Sequence, residues 1–258
     1  MTLWRSDAAA RFSASAAAYA ATMAPALRPV AAEVVRRAAL QPGERVLDLG
    51  TGTGTAAGLA RGEGRVVTGL DGAPGMLEIA RAEVPGVTFV EGDFGAVPFA
   101  DASFDVVIAC HALLFATDRI AVLREWHRVT RPGGRLSLSV PGPWEATMGP
   151  LIDPIYSSYG LATARDYPDP PELAAWARAA GWSSIDTDAD PTVAIHLADE
   201  KAYRLWLSTG SRGTATAGWP EGRIEALKAE LLAVTPRQPD GSLAIPFGAL
   251  YLGASAPA

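Results

Sequence analysis

The residues of this chain best suited to chemistry are three carboxylates and one imidazole, each standing just after an apolar run. Asp48 opens Asp48-Leu49-Gly50-Thr51-Gly52-Thr53-Gly54, Asp71 stands in Leu70-Asp71-Gly72, Asp93 in Glu91-Gly92-Asp93-Phe94, and His111 ends Ile108-Ala109-Cys110-His111. Alternating glycines let backbone come close to a ligand, because no Cβ intervenes. A helix starting beyond them offers unpaired N–H groups to a carboxylate or phosphate. A carboxylate at Asp71 can accept from both hydroxyls of a ribose. At Asp93 it can accept from an exocyclic amine such as adenine N6, with Phe94 against the ring face. Histidine titrates near neutrality, so His111 can act as a base or can orient a reacting group.

Each feature also has a plainer reading. The glycines could make a tight turn, Asp71 could cap the next helix, Asp93 could support its own backbone, and His111 could simply pack. Gly52-x-Gly54-x-x-Ala57 together with Asp71 also fits the relaxed nicotinamide fingerprint. Three acid-bearing strand ends in succession are nevertheless hard to explain by turns alone.

Such residues need a scaffold that gathers strand ends. Apolar runs at 45–49, 65–70, 87–90, 104–109 and 136–140 alternate with helical patterns, and two further strands are expected from about Ser183 and from Leu243 to Leu252. Strands that are apolar throughout, with helices between them, indicate βαβ units and a parallel sheet covered on both faces. In such sheets ligands bind beyond the carboxyl ends of the strands. The fold expected is α/β: a Rossmann-like, doubly wound, mostly parallel seven-stranded sheet. Two N-terminal helices precede it, one near Phe12 to Leu27 and one near Arg28 to Ala39. Phe12, Ala16, Tyr19 and Met23 recur on one face of the first. Pro132-Gly133-Gly134 is expected to break the helix that carries Leu123 and Trp126.

The ordered set of motifs resembles a class I S-adenosylmethionine-dependent methyltransferase. It consists of Val46 to Gly54, Asp71 followed by Met76-Leu77-x-x-Ala80-Arg81, Gly92-Asp93 with Val97-Pro98-Phe99, Ser103 to Val107, and Arg131 to Gly134. The branch it resembles is the small-molecule, ubiquinone-biosynthesis-like group (methyltransferase type 11), over about residues 12–140. The resemblance implies S-adenosyl-L-methionine as cofactor. It puts the loop of Asp48, Gly50 and Gly52 against the methionine moiety, Asp71 on the ribose diol and Met76 on the adenine. Asp93 would take the adenine amine, with Phe94 beside it. Tyr19 matches a tyrosine that closes over the cofactor in this family, although the acidic residue that commonly follows it is Ala20 here. The family predicts both the Gly-Asp at 92–93 and the Pro-Gly-Gly turn, which hydride transfer does not require.

The expected organisation is a single domain over 1–258, with helices to residue 40, a cofactor core at 44–140 and two substrate-lid insertions at 141–170 and 198–220. The insertions carry Trp144, Tyr156, Tyr159, Tyr167, Tyr203, Trp206 and Trp219. Amphipathic rings of this kind suit a small organic acceptor with a ring or an apolar chain. Methyl transfer from a sulfonium is an in-line displacement that chiefly needs orientation and exclusion of water, and the acceptor atom (O, N or C) is open. Two alternatives to methyl transfer stand beside it: a nicotinamide-dependent oxidoreductase, and a relative that binds S-adenosylmethionine but carries out non-methylating chemistry.

The composition narrows the partners. With 22 basic against 28 acidic residues the net charge is −6, and no block of five like charges occurs, so nucleic acid is a poor partner. One cysteine, Cys110, rules out a disulfide framework, and His111, His127 and His196 lack metal-ligand spacing, so no metal is expected. His127, between Trp126 and Arg128, is expected on a helix as a surface or core residue, and His196, between Ile195 and Leu197, as a structural residue of a strand. No run of 18 apolar residues exists to span a membrane. The alanine-rich start reads as an amphipathic helix rather than a secretory signal, giving a cytoplasmic expectation. A homodimer is compatible with the sequence, and nothing in it specifies one.

Overall fold

A parallel sheet forms here because helices carry the chain back before β1 (Arg45–Leu49), β2 (Val66–Asp71) and β3 (Thr88–Glu91), while an irregular crossover without a helix, 92–103, leads from β3 to β4 (Phe104–Cys110). The computed structural model describes residues 6–161, 167–207, 216 and 218–258. The helices between strands are α3 (Thr55–Ala60), α4 (Pro74–Glu83) and, after β4, α5 (Arg119–Val129), which leads into β5 (Thr130–Val140). α6 (Gly149–Ser158) and α7 (Pro170–Ala179) precede β6 (Ser183–Asp190). They are followed by β7 (Ala194–Leu197), α8 (Glu200–Leu207), α9 (Glu221–Val234), β8 (Leu243–Pro246) and β9 (Ala249–Ser255).

Seven strands pair in the order β3-β2-β1-β4-β5-β9-β6, and β7 pairs with β8 in a separate two-stranded sheet. β1 to β5 pair in parallel, while β9 runs antiparallel between β5 and β6. This is the doubly wound, Rossmann-like sheet expected from the alternation. Strand order reverses between β1 and β4, so the crevice for a ligand opens beyond Leu49 and Cys110. Two apolar cores cover the two faces. One gathers Leu123, Trp126, Leu173 and Trp182; the other sets Val30 and Val34 against Val46, Val106 and Ile108.

The N-terminal helices divide elsewhere than expected. α1 is Ser6–Ala14, and α2 runs unbroken through Ala16–Arg37, past Pro25 and Pro29. Both prolines are exposed, so the carbonyls they leave without a helical N–H partner can be met by water. Ser15 marks the joint instead. Phe12 and Tyr19 still converge, because Ser13 Oγ accepts from Gly75 N at 2.8 Å and pins α1 on the start of α4.

The C-terminal strand also differs: 243–252 is two strands, split at Phe247-Gly248, where Gly248 takes φ +55°. That break lets β8 leave the main sheet and pair with β7. Pro132-Gly133-Gly134 does not precede β5 but lies inside it, at the register shift opposite Phe104 and Val106. On α9, Leu227 and Leu231 are buried as expected, while Val234 reaches the surface. The lid segments 141–170 and 198–220 fall partly outside the described residues, at 162–166, 208–215 and 217.

Candidate active site

The glycine loop is held in shape before any ligand arrives. Gly50, Gly52 and Gly54 take φ of +68°, +55° and +81°, a region that side chains with a Cβ seldom enter. Gly50 N and Thr51 N both donate to Leu70 O, at 2.8 and 3.0 Å, which lashes the loop to β2. Beneath it, Asp48 is 1% exposed, and its Oδ2 accepts from Thr51 Oγ1 at 2.7 Å and Ala57 N at 2.9 Å. Its Oδ1 has no partner, and burial pushes the carboxyl up to about 6.

Asp71 joins the loop to the next helix. Its Oδ2 accepts from Gly52 N at 2.8 Å and its Oδ1 from Ala73 N at 2.9 Å. Burial raises its pKa, and these backbone donors oppose the rise. Asp71 is not the cap of that helix: Ala73 stands at the N-cap with no side chain bonded to it, and the Asp71 bond to Ala73 N closes the turn before it. Asp71 also lines a cavity of about 540 Å³.

Seven of the residues singled out in the sequence meet around that cavity: Tyr19, Gly50, Gly52, Asp71, Met76, Phe94 and His111. Two do not. Asp48 lies behind the loop as its buttress. Asp93 is outside the lining, and its Oδ1 accepts from Gly95 N at 2.7 Å, the turn bond anticipated as its plainer reading. Phe94 is fixed by Trp126, whose Nε1 donates to the Phe94 carbonyl at 2.8 Å while the two rings meet edge to face. Met76 packs with Ala16 and Ala73 under Phe12 and Tyr19. Burial raises the Tyr19 phenol well above its ordinary value, with Cys110 and Asp71 adding to the rise.

The loop geometry fits the cofactor that the motifs imply. A Cβ built on Gly52 would meet no protein atom within 4 Å, although this residue lines the cavity and its N–H is already turned to Asp71. Bare backbone facing open space beside a buried carboxylate can cradle the polar end of a nucleoside conjugate.

His111 follows β4 directly and takes φ +57°, an uncommon conformation for a residue with a Cβ and one that clusters at functional sites. It is 8% exposed, and its ring meets Phe247 edge to face at 5.4 Å. Its Nδ1 lies 3.3 Å from Ser139 Oγ, whereas its buried Nε2 has no partner. Burial lowers its pKa to about 4, so the imidazole is neutral across the physiological range. Of the other histidines, His127 meets Trp182 edge to face, and His196 lies in a strand as expected, β7, but with its side chain exposed.

The lid aromatics divide into two groups. Trp144, Tyr156, Tyr167 and Trp206 line the cavity. Tyr159 instead stacks on Trp219 beside Arg223, and Tyr203 is buried core whose hydroxyl accepts from Thr235 Oγ1. The wall also includes residues not anticipated from sequence. Met23 accepts from Trp206 Nε1 at its sulfur, and Phe115 and Phe247 stand close to His111 in chain or space. Phe115 had a signal in the apolar run Ala112 to Phe115 after the fourth strand. Phe247 had none, because only the split between β8 and β9 turns it inward.

Comparison with known proteins agrees with this geometry. Residues 47–138 match the family described as a methyltransferase domain. The demethylmenaquinone methyltransferase of Beutenbergia cavernae is 38% identical over 163 residues, covering 56% of this chain and 68% of that protein. The malonyl-[acyl-carrier protein] O-methyltransferase of Serratia marcescens is 37% identical over 138 residues, 54% of each chain. In fold, the chain is similar to a Haemonchus contortus phosphoethanolamine N-methyltransferase solved with S-adenosyl-L-methionine. The TM-score is 0.58 at 19% identity, over 89% of this chain and 53% of that one. This protein belongs to the class I S-adenosylmethionine-dependent methyltransferases, and S-adenosyl-L-methionine is its cofactor. Among the described residues no cluster of metal-binding side chains occurs, and no helix is long and apolar enough to cross a membrane.

Proposed function

We propose that this enzyme methylates a small, largely apolar organic acceptor of specialised metabolism, one that carries its reacting proton on a phenolic or enolic hydroxyl. The observation that carries the reading is His111: a neutral imidazole with an unpartnered Nε2, in the same cavity as the glycine loop. The cofactor, when bound, supplies an electrophilic methyl group whose bonding electron pair stays on sulfur. Gly50 and Gly52 would hold its methionine end by backbone, with Asp48 fixing the loop from behind. Asp71 would grip the ribose diol, and Met76 and Phe94 would enclose the adenine. Asp93 would take the adenine amine through the carboxylate that also makes its turn, and Tyr19 would close from α2. His111 Nε2 would accept the hydroxyl proton as the new oxygen–carbon bond forms.

Trp144, Tyr156 and Trp206 would cover the acceptor and exclude water. An apolar, aromatic wall supports a ring-bearing molecule over a peptide tail or a nucleic acid. Because one relative is a demethylmenaquinone methyltransferase, a naphthohydroquinone is the first acceptor to try. The test is release of S-adenosylhomocysteine from S-adenosylmethionine with a panel of naphthohydroquinones and substituted phenols. Turnover is expected, and His111→Gln should lower kcat by about 10²–10⁴-fold while cofactor affinity by calorimetry stays unchanged. A His111→Gln enzyme turning over at the wild-type rate would remove the base.

A further inference from the structure

One buried hydroxyl, behind the Cys110 and His111 side of the cavity wall, has no packing explanation. Ser139 is 0% exposed on β5, at the register position opposite Cys110. Two residues earlier, Ser137 has a plain structural use, since its Oγ donates to Val34 O at 2.8 Å and ties β5 to α2. Ser139 Oγ reaches no backbone carbonyl. It lies 3.6 Å from Cys110 Sγ and 3.3 Å from His111 Nδ1, while its own carbonyl accepts from His111 N at 2.9 Å. The strand therefore grips His111 twice, once by backbone and once through the ring.

The hydroxyl has one proton to give and lone pairs to accept with, and the imidazole carries one N–H when neutral. If the Ser139 proton turned to Nδ1, the ring N–H would sit on Nε2, buried without an acceptor. A buried orphan N–H is rarer than an under-used lone pair. If the Ser139 proton points to Cys110 Sγ, its oxygen accepts Nδ1–H, and only a lone pair is left at Nε2. We propose that Ser139 is a positioning residue, whose Oγ accepts from His111 Nδ1 and donates to Cys110 Sγ so that His111 presents an Nε2 lone pair to the cavity. The thiol suits the end of this chain, because burial pushes Cys110 up to about 12 and it stays an uncharged partner. The inference deepens the proton-accepting reading of His111 and rests on it for its catalytic meaning. It also restricts acceptors to those arriving with a proton on the reacting atom, since an Nε2 lone pair offers nothing to a bare anion.

The test is nitrogen NMR of the histidine rings, on ring-labelled protein saturated with S-adenosylhomocysteine, with the His111 signals assigned by difference from His111→Gln. The expected result is a protonated Nδ1 and an unprotonated Nε2. In Ser139→Ala the ring should shift toward the Nε2–H form, and kcat with a naphthohydroquinone should fall by about 10- to 100-fold at unchanged cofactor affinity. A wild-type His111 that carries its proton on Nε2 overturns the proposal without recourse to any variant, as does a Ser139→Ala protein with the wild-type tautomer. The two readings separate cleanly. A wild-type Nδ1–H tautomer combined with full activity of His111→Gln keeps the Ser139 contact and removes the base.

Discussion

Individual atoms at the crevice do two jobs at once. Asp71 shapes the loop through Gly52 N and Ala73 N and also faces the cavity, so its loss should be felt in both. Asp71→Asn removes a charged acceptor, and cofactor affinity by calorimetry should fall about 10- to 100-fold, in line with roughly 1.5–3 kcal/mol for a hydrogen bond to a charged group. Gly50 is more brittle. A Cβ there would stand 2.5 Å from Ala112 Cβ with φ held at +68°, so Gly50→Ala should lower unfolding stability by about 1–3 kcal/mol in urea titration. Much of this was legible in the chain itself, because glycines and acids at strand ends announce a nucleoside crevice by type and order. What spacing could not tell was the division of labour. Asp48 turns under the loop because Thr51 Oγ1 and Ala57 N await it there, and Asp93 is engaged by Gly95 N. Ser139 was invisible for a similar reason: nothing distinguishes it from Ser137 until β4 is laid beside β5.

Elements were read well wherever periodicity and flanking turns agreed, as in β1 to β4 with α3 to α5. They were misread where a local pattern suggested a break that packing overrides, as at Pro132-Gly133-Gly134, which lies inside β5. A helix boundary was expected between Leu27 and Arg28, yet α2 continues there, past Pro25 and Pro29, because Met23, Leu27, Val30 and Val34 stay on its buried side. Since both prolines are exposed and interrupt the hydrogen-bond ladder, replacing each by alanine should restore a bond. Pro25→Ala and Pro29→Ala are each expected to raise stability by about 1–3 kcal/mol, measured by chemical denaturation, with helix content rising by circular dichroism. The opposite error occurred at Phe247-Gly248, where an apolar run looked continuous. A Cβ on Gly248 would meet Gly142 O at 2.5 Å, a tertiary constraint that no local pattern carries.

The molecule as a whole balances two buried groups of opposite habit. His111 is held near pKa 4, below its ordinary 6.5, so its contribution to stability is present above pH 6.5 and is lost as pH falls toward 4. Asp48 is held near 6, above its ordinary 3.8, so its contribution is present below that ordinary value and is lost as pH rises through 6. Between pH 4 and 6 the two slopes oppose each other, and the variants should separate them. Thermal unfolding of His111→Gln should show stability falling as pH rises over that range, and Asp48→Asn should show it rising. Parallel curves for the two variants would contradict this assignment of charge states. One further property follows from where the cavity walls come from. The glycine-loop side is built by chain before residue 142, and much of the opposite side by α6, α8, α9 and β8, which arrive later. Mutations can therefore accumulate in the later segments without touching the loop, so relatives could diverge in what they methylate while inheriting the donor half intact.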